Sequence, residues 1–100
     1  DIFLAPSAFL QETGKAHWEI LLKARAIENQ CYMIAAAQWG PHHEKRTSYG
    51  HSMVVDPWGK TVAEIGEGTG LIFAEIDPEE INKVRARLPS LQHRRKGIYQ

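Results

Sequence analysis

The chain has 100 residues, 43% hydrophobic and 24% charged, with 12 Lys plus Arg against 12 Asp plus Glu. That is the composition of one ordinary globular domain; it excludes a disordered or collagen-like chain, and the charge balance excludes a global field drawing it to nucleic acid or anionic membrane. A single cysteine, Cys31, excludes an internal disulfide, and no apolar run approaches the roughly 20 residues of a membrane-spanning helix, so a soluble, cytoplasmic protein is expected.

Ile2 to Leu4 is a short apolar run followed by Pro6, which cannot donate to a ladder, and it reads as a buried strand. Pro6-Ser7-Ala8-Phe9 follows as a loop. Thr13-Gly14 is the predicted cap of a helix over Ala16 to Asn29. Trp18, Ile20, Leu21, Leu22, Ala24 and Ile27 give it a wide apolar face, and Glu19 and Lys23 pair at i,i+4. Cys31 to Ala37 is apolar without alternation, the pattern of a strand covered on both faces. Strand, helix, strand in this order predicts two parallel strands with the helix crossing over one face.

Trp39 to Thr47 is polar and broken by Gly40-Pro41, so a surface loop is predicted there. From Gly50 the pattern becomes a meander. Met53 to Val55 and Thr61 to Ile65 pair across Asp56-Pro57-Trp58-Gly59, whose residue types are those of a type I turn. Gly66, Gly68 and Gly70 mark the next reversal, and Leu71 to Ile76 is predicted as a third strand. Asp77 caps a helix that has Pro78 at its first position, Glu79 and Glu80 in its first turn, and runs to about Leu88, before Pro89. The tail, Ser90 to Gln100, is basic and short of apolar anchors. The order is a βαβ unit, a meander and a helix: an α/β chain. It opens on Asp1 within a strand-like run, so residues 1–100 are expected to be part of a larger domain.

Several residues invite a chemical role. Cys31 begins an apolar strand, whereas reactive thiols sit in partly exposed, electropositive places, so it reads as structural. His42, His43 and His51, with Glu44, have poor spacing for a metal site. Lys83, Arg85, Arg87 and Arg94-Arg95-Lys96 are basic, but Glu79 and Glu80 oppose them and no aromatic residues are interleaved, so no nucleic-acid partner is expected. Arg25 and Glu28 read as a helix ion pair. Pro6 to Phe9 is the best place for substrate contact, because ligands of open α/β sheets sit beyond the carboxyl ends of parallel strands.

Pro6 to Phe9, His17-Trp18-Glu19, Arg25 to Tyr32, Ala35 to Gln38, His42 to Arg46 and Ser48 to Gly59 together resemble the C-terminal half of the nitrilase superfamily of carbon–nitrogen hydrolases. His42 to Arg46 running into Tyr49-Gly50-His51-Ser52 is most similar to the branch of deaminated-glutathione amidases. The resemblance implies the C-terminal half of a four-layer α-β-β-α sandwich. It also implies hydrolysis of a small linear amide to acid and ammonia by a Cys, a Lys and a Glu that lie upstream of this chain, without metal or organic cofactor. On this reading the chain holds no catalytic residue of its own and is inactive alone. Ser7 and Phe9, with Trp18 just behind, are the expected substrate-pocket residues. A homo-oligomer through the first helix and the C-terminal tail is expected, with no membrane partner. Two other readings are a non-catalytic interaction module using an exposed sheet edge or the basic tail, and a thiol hydrolase built on Cys31.

Overall fold

The computed structural model describes residues 1–43 and 45–98; Glu44, Tyr99 and Gln100, and with them part of the histidine loop and the end of the predicted tail, lie outside the described residues. Two short strands set the frame: β1 (Ile2–Leu4) runs parallel to β2 (Tyr32–Ala35), with Ile2 opposite Tyr32 and Leu4 opposite Ile34. β5 (Met53–Val55) lies antiparallel on the other side of β2, and β6 (Thr61–Glu64) pairs with β5, giving the order β1-β2-β5-β6. The predicted parallel pair and the hairpin are both present. At the hairpin turn the Asp56 carboxylate accepts from the Trp58 and Lys60 amides, each at 2.9 Å, and Gly59 takes a φ of +90°, which suits a residue without a Cβ.

Side chains alternate across the sheet, and each face meets a helix. Met33, Ala35, Met53 and Val55 pack on Trp18, Leu22 and Ala26 of the first helix. On the opposite face Tyr32 and Val54 pack on Ile81 of α3 (Pro78–Arg87), with Ile34, Ile72 and Ile76 alongside. The α3 start is as predicted: Asp77 Oδ1 accepts from the Glu79 amide at 2.9 Å and Pro78 opens the helix.

The first helix begins earlier than its sequence suggests. α1 (Gln11–Thr13), a π-helical turn (Gly14–Trp18) and α2 (Glu19–Asn29) follow one another without a break, and Thr13 is helical and caps nothing. Gly14 is therefore no helix boundary; it is small because Tyr49 lies against it. α2 ends on Gln30, held at a φ of +51°, whose Nε2 donates to the Leu88 carbonyl at 2.7 Å and so ties the ends of α2 and α3. Glu19 and Lys23 form the expected ion pair at 2.6 Å.

Three further expectations are corrected. β1 is a strand but not a buried one, since Ile2, Phe3 and Leu4 are all exposed and Leu4 keeps 72% of its surface. Trp39 to Thr47 is no loop: β3 (Trp39–His42) and β4 (Arg46–Tyr49) form a two-stranded antiparallel ribbon. A ribbon of two strands leaves alternate amides unpaired, so Pro41 is tolerated within it. Leu71 to Ile76 forms no strand, because no neighbouring strand among the described residues offers it a ladder. It passes over the α3-side core with Ile72 and Ile76 packed against it, while Leu71 and Phe73 stay 84% and 86% exposed.

Candidate functional site

Beyond the carboxyl ends of β1 and β2 the two chains continue to pair irregularly. The Ala5 amide donates to Ile34 O at 2.9 Å, Ser7 N to Ala36 O at 3.0 Å, and Gln38 N back to Ser7 O at 2.9 Å. Ser7 and Ala37 thus face each other as an isolated parallel bridge. The following residues are braced from another side, with the Tyr49 amide on Phe9 O at 2.8 Å and Leu10 bridging Ser48. A loop that would otherwise be free is fixed by backbone bonds at both ends.

Two adjoining clefts open here. One, of about 670 Å³, is lined by Pro6, Ser7, Ala36, Gln38 and Ser52 among others. The other, of about 590 Å³, extends from the shared Gln38 and Ser52 toward Trp39, His42 and Thr69. Either is large enough for a small molecule. The described lining of the first cleft includes no Cys, His, Asp, Glu or Lys: its polar side chains are the Ser7 and Ser52 hydroxyls and the Gln38 amide, set among Pro6 and alanines. Such a wall can orient a polar ligand by hydrogen bonds.

Of the expected pocket residues, Ser7 lines the cleft, and its hydroxyl makes only a long 3.5 Å contact with the Ala5 carbonyl. Phe9 is half-buried and Trp18 is 3% exposed; their rings meet at 5.0 Å with a 54° tilt, and both belong to the core behind the loop. The Trp18 indole N–H donates to the His51 carbonyl at 2.7 Å. Gln38 and Ser52 are cleft residues that the sequence reading does not single out. What brings Ser52 to the cleft is backbone shape, a left-handed φ of +72° at Gly50 followed by another at His51, +62°.

Cys31 is buried at 3% exposure, its thiol donating to Asn29 O at 3.0 Å and accepting from Arg85 Nη2 at 3.3 Å, away from both clefts. Arg85 in turn bonds the Asp1 carboxylate at 2.7 Å. Arg25 and Glu28 pair on the exposed side of α2. Of the basic residues of α3, Lys83 pairs with Glu80 at 3.0 Å and Arg87 lies 4.5 Å over the Trp58 ring. His51 stacks on Tyr49 at 3.8 Å while His42 lies in the second cleft, and among the described residues no three His, Cys, Asp or Glu side chains converge as metal ligands. No helix among the described residues is long and apolar enough to cross a membrane.

A mixed α/β unit with a cleft beyond its parallel strands agrees with comparison to known proteins: residues 1–86 match the carbon-nitrogen hydrolase family, and the chain belongs to it. It is 61% identical over 99 residues to deaminated glutathione amidase of Homo sapiens, covering 99% of this chain and 30% of the human protein. The deaminated glutathione amidase of Synechocystis is 54% identical over 94 residues, 94% of this chain and 35% of that protein. Among solved structures, the Caenorhabditis elegans NitFhit protein superposes with a TM-score of 0.93 at 56% identity, covering 99% of this chain and 24% of that one. The chain therefore spans about a third of the length of these amidases and matches a portion of the nitrilase-superfamily fold.

Proposed function

We propose that residues 1–100 are the C-terminal part of a carbon–nitrogen hydrolase domain that cleaves a small linear amide, of the deaminated-glutathione or omega-amide type, to acid and ammonia. The observation that carries this reading is the 61% identity to the human amidase over nearly the whole chain. In the proposed reaction a Cys thiolate from the preceding polypeptide attacks the amide carbon, a Glu passes its proton to the departing ammonia, and a Lys holds the oxyanion. Water then releases the acid from the thioester. This chain supplies wall and scaffold: Ser7 at the cleft surface, with Phe9 and Trp18 packed behind it. A first cleft without an ionisable side chain among its described lining residues supports that division of labour. Exposed Ile20, Leu21 and Ile27 on the first helix support a homo-oligomer contact there, with the C-terminal tail beside it. A cytoplasmic location is part of the proposal.

The test is ammonia release from omega-amides and deaminated glutathione by the natural polypeptide that carries this chain. Turnover that survives Cys31→Ser is expected. Turnover by the hundred residues alone, abolished by Cys31→Ser, would overturn the proposal.

A further inference from the structure

Ser52 makes two hydrogen bonds to one residue: its hydroxyl accepts from the Ala37 amide at 2.9 Å and donates to the Ala37 carbonyl at 3.3 Å. Ala37 lies just past the end of β2, where no neighbouring strand satisfies it, and a side chain there takes the place of a ladder partner. The same residue faces Ser7 across the cleft floor, between the Ser7-to-Ala36 and Gln38-to-Ser7 backbone bonds. Ser52 also lines both clefts. One hydroxyl thus fixes the segment against which the Ser7 loop is hung.

The backbone leading to Ser52 is strained in a way that needs explanation. His51 holds a left-handed φ of +62°, uncommon for a residue with a side chain, immediately after Gly50 at +72°. Three contacts keep it there. Its Nδ1 lies 2.6 Å from the Tyr49 carbonyl, its ring stacks 3.8 Å from the Tyr49 ring, and its own carbonyl accepts the Trp18 indole N–H at 2.7 Å. Strain held by this many neighbours belongs with a placement that matters. Two consecutive left-handed residues turn the chain sharply between β4 and β5 and deliver the Ser52 hydroxyl to Ala37.

We infer that Ser52, set by the strained His51, is a positioning residue of the amidase cleft, acting through Ala37 on Ser7. This rests on the proposed function, and it names the part of the chain that sets the wall's geometry.

Ser52→Ala, Ser7→Ala and the double variant in the natural polypeptide test it. Ser52→Ala is expected to lower kcat/KM about 10- to 100-fold, the scale of a small misplacement of a positioned group, with Ser52→Thr, which keeps the hydroxyl, recovering most of it. Because Ser52 acts through Ser7, the double variant should be no slower than about twofold below the worse single variant. Losses that multiply, or a Ser52→Ala enzyme that melts early yet keeps native kcat/KM, would overturn the inference. Amide hydrogen exchange gives a readout that needs no turnover: Ser52→Ala should speed exchange at both Ala37 and Gln38, whose amide bonds Ser7. Faster exchange at Ala37 alone would overturn it. A wild-type protein releasing no ammonia from any amide would refute the proposed function while the exchange result still decides the role of Ser52.

Discussion

Gly14 and Tyr49 touch so closely that a Cβ built on Gly14 would sit 2.4 Å from the Tyr49 Cβ and Cγ. The contact joins the π-helical turn to the end of β4, and Tyr49 cannot swing away without leaving its stack on His51. Gly14→Ala should therefore destabilise the protein by about 1–3 kcal/mol through overpacking, despite a helix-propensity gain of about 1 kcal/mol at a position with ordinary helical dihedrals. A urea melt of the natural polypeptide measures it; a stabilised variant would contradict the contact.

Cys31 is enclosed by Asn29 O and Arg85 Nη2 and lies at the junction of α2 and β2. Its thiol should resist alkylation in the native protein and react at the free-thiol rate only after unfolding. Labelling with and without urea checks this, and equal rates in the two conditions would contradict it.

Lys83 is held above the ordinary lysine value of 10.5, first by its hydrogen bond to Glu80 and then by that carboxylate's charge, with Asp77 and Glu79 adding to it. A raised folded-state value means that whatever stability the pair adds is complete below 10.5 and is lost as pH climbs through the folded value. Whatever the pair contributes is thus constant across neutral pH. Glu80→Gln should move the Lys83 titration down toward the ordinary lysine value, followed by NMR of its side chain in alkaline buffer. An unmoved titration would count against the pairing.

Leu4, Leu71 and Phe73 present their side chains to solvent, and Ile2, Phe3 and Ile20 add to that apolar surface. Under the proposed function the rest of the domain covers much of it. The hundred residues expressed alone should self-associate with rising concentration. Light scattering reads this; a monomer with a cooperative melt over a wide concentration range would be the opposite result.

The legible parts of the fold were those where a local pattern and its tertiary partner agree. The apolar run of β2, the turn around Asp56 and the cap at Asp77 each have a short-range cause, and each lies where its residues put it. Gly14 misled because a glycine kept small for a distant tyrosine looks the same in sequence as a glycine that ends a helix. The β3–β4 ribbon was hidden by Pro41 and by polar residues that a two-stranded ribbon tolerates. Leu71 to Ile76 carries a strand's composition, but a strand also needs a neighbour, and composition does not report one. At the cleft, Ser7 was reachable from its place after β1. Ser52 was not, since its role depends on a left-handed His51 that nothing in the residue types announces.

The sheet order also sets a timetable. β5 and β6 are joined by a turn of a few residues and can close within microseconds, whereas β1 and β2 are separated along the chain by the whole first helix and must close a longer loop. Pairing β1, which carries Ser7 behind it, is therefore a slower closure than the hairpin. A mutation that delays β1 docking thus delays the birth of the site without touching any residue that lines it.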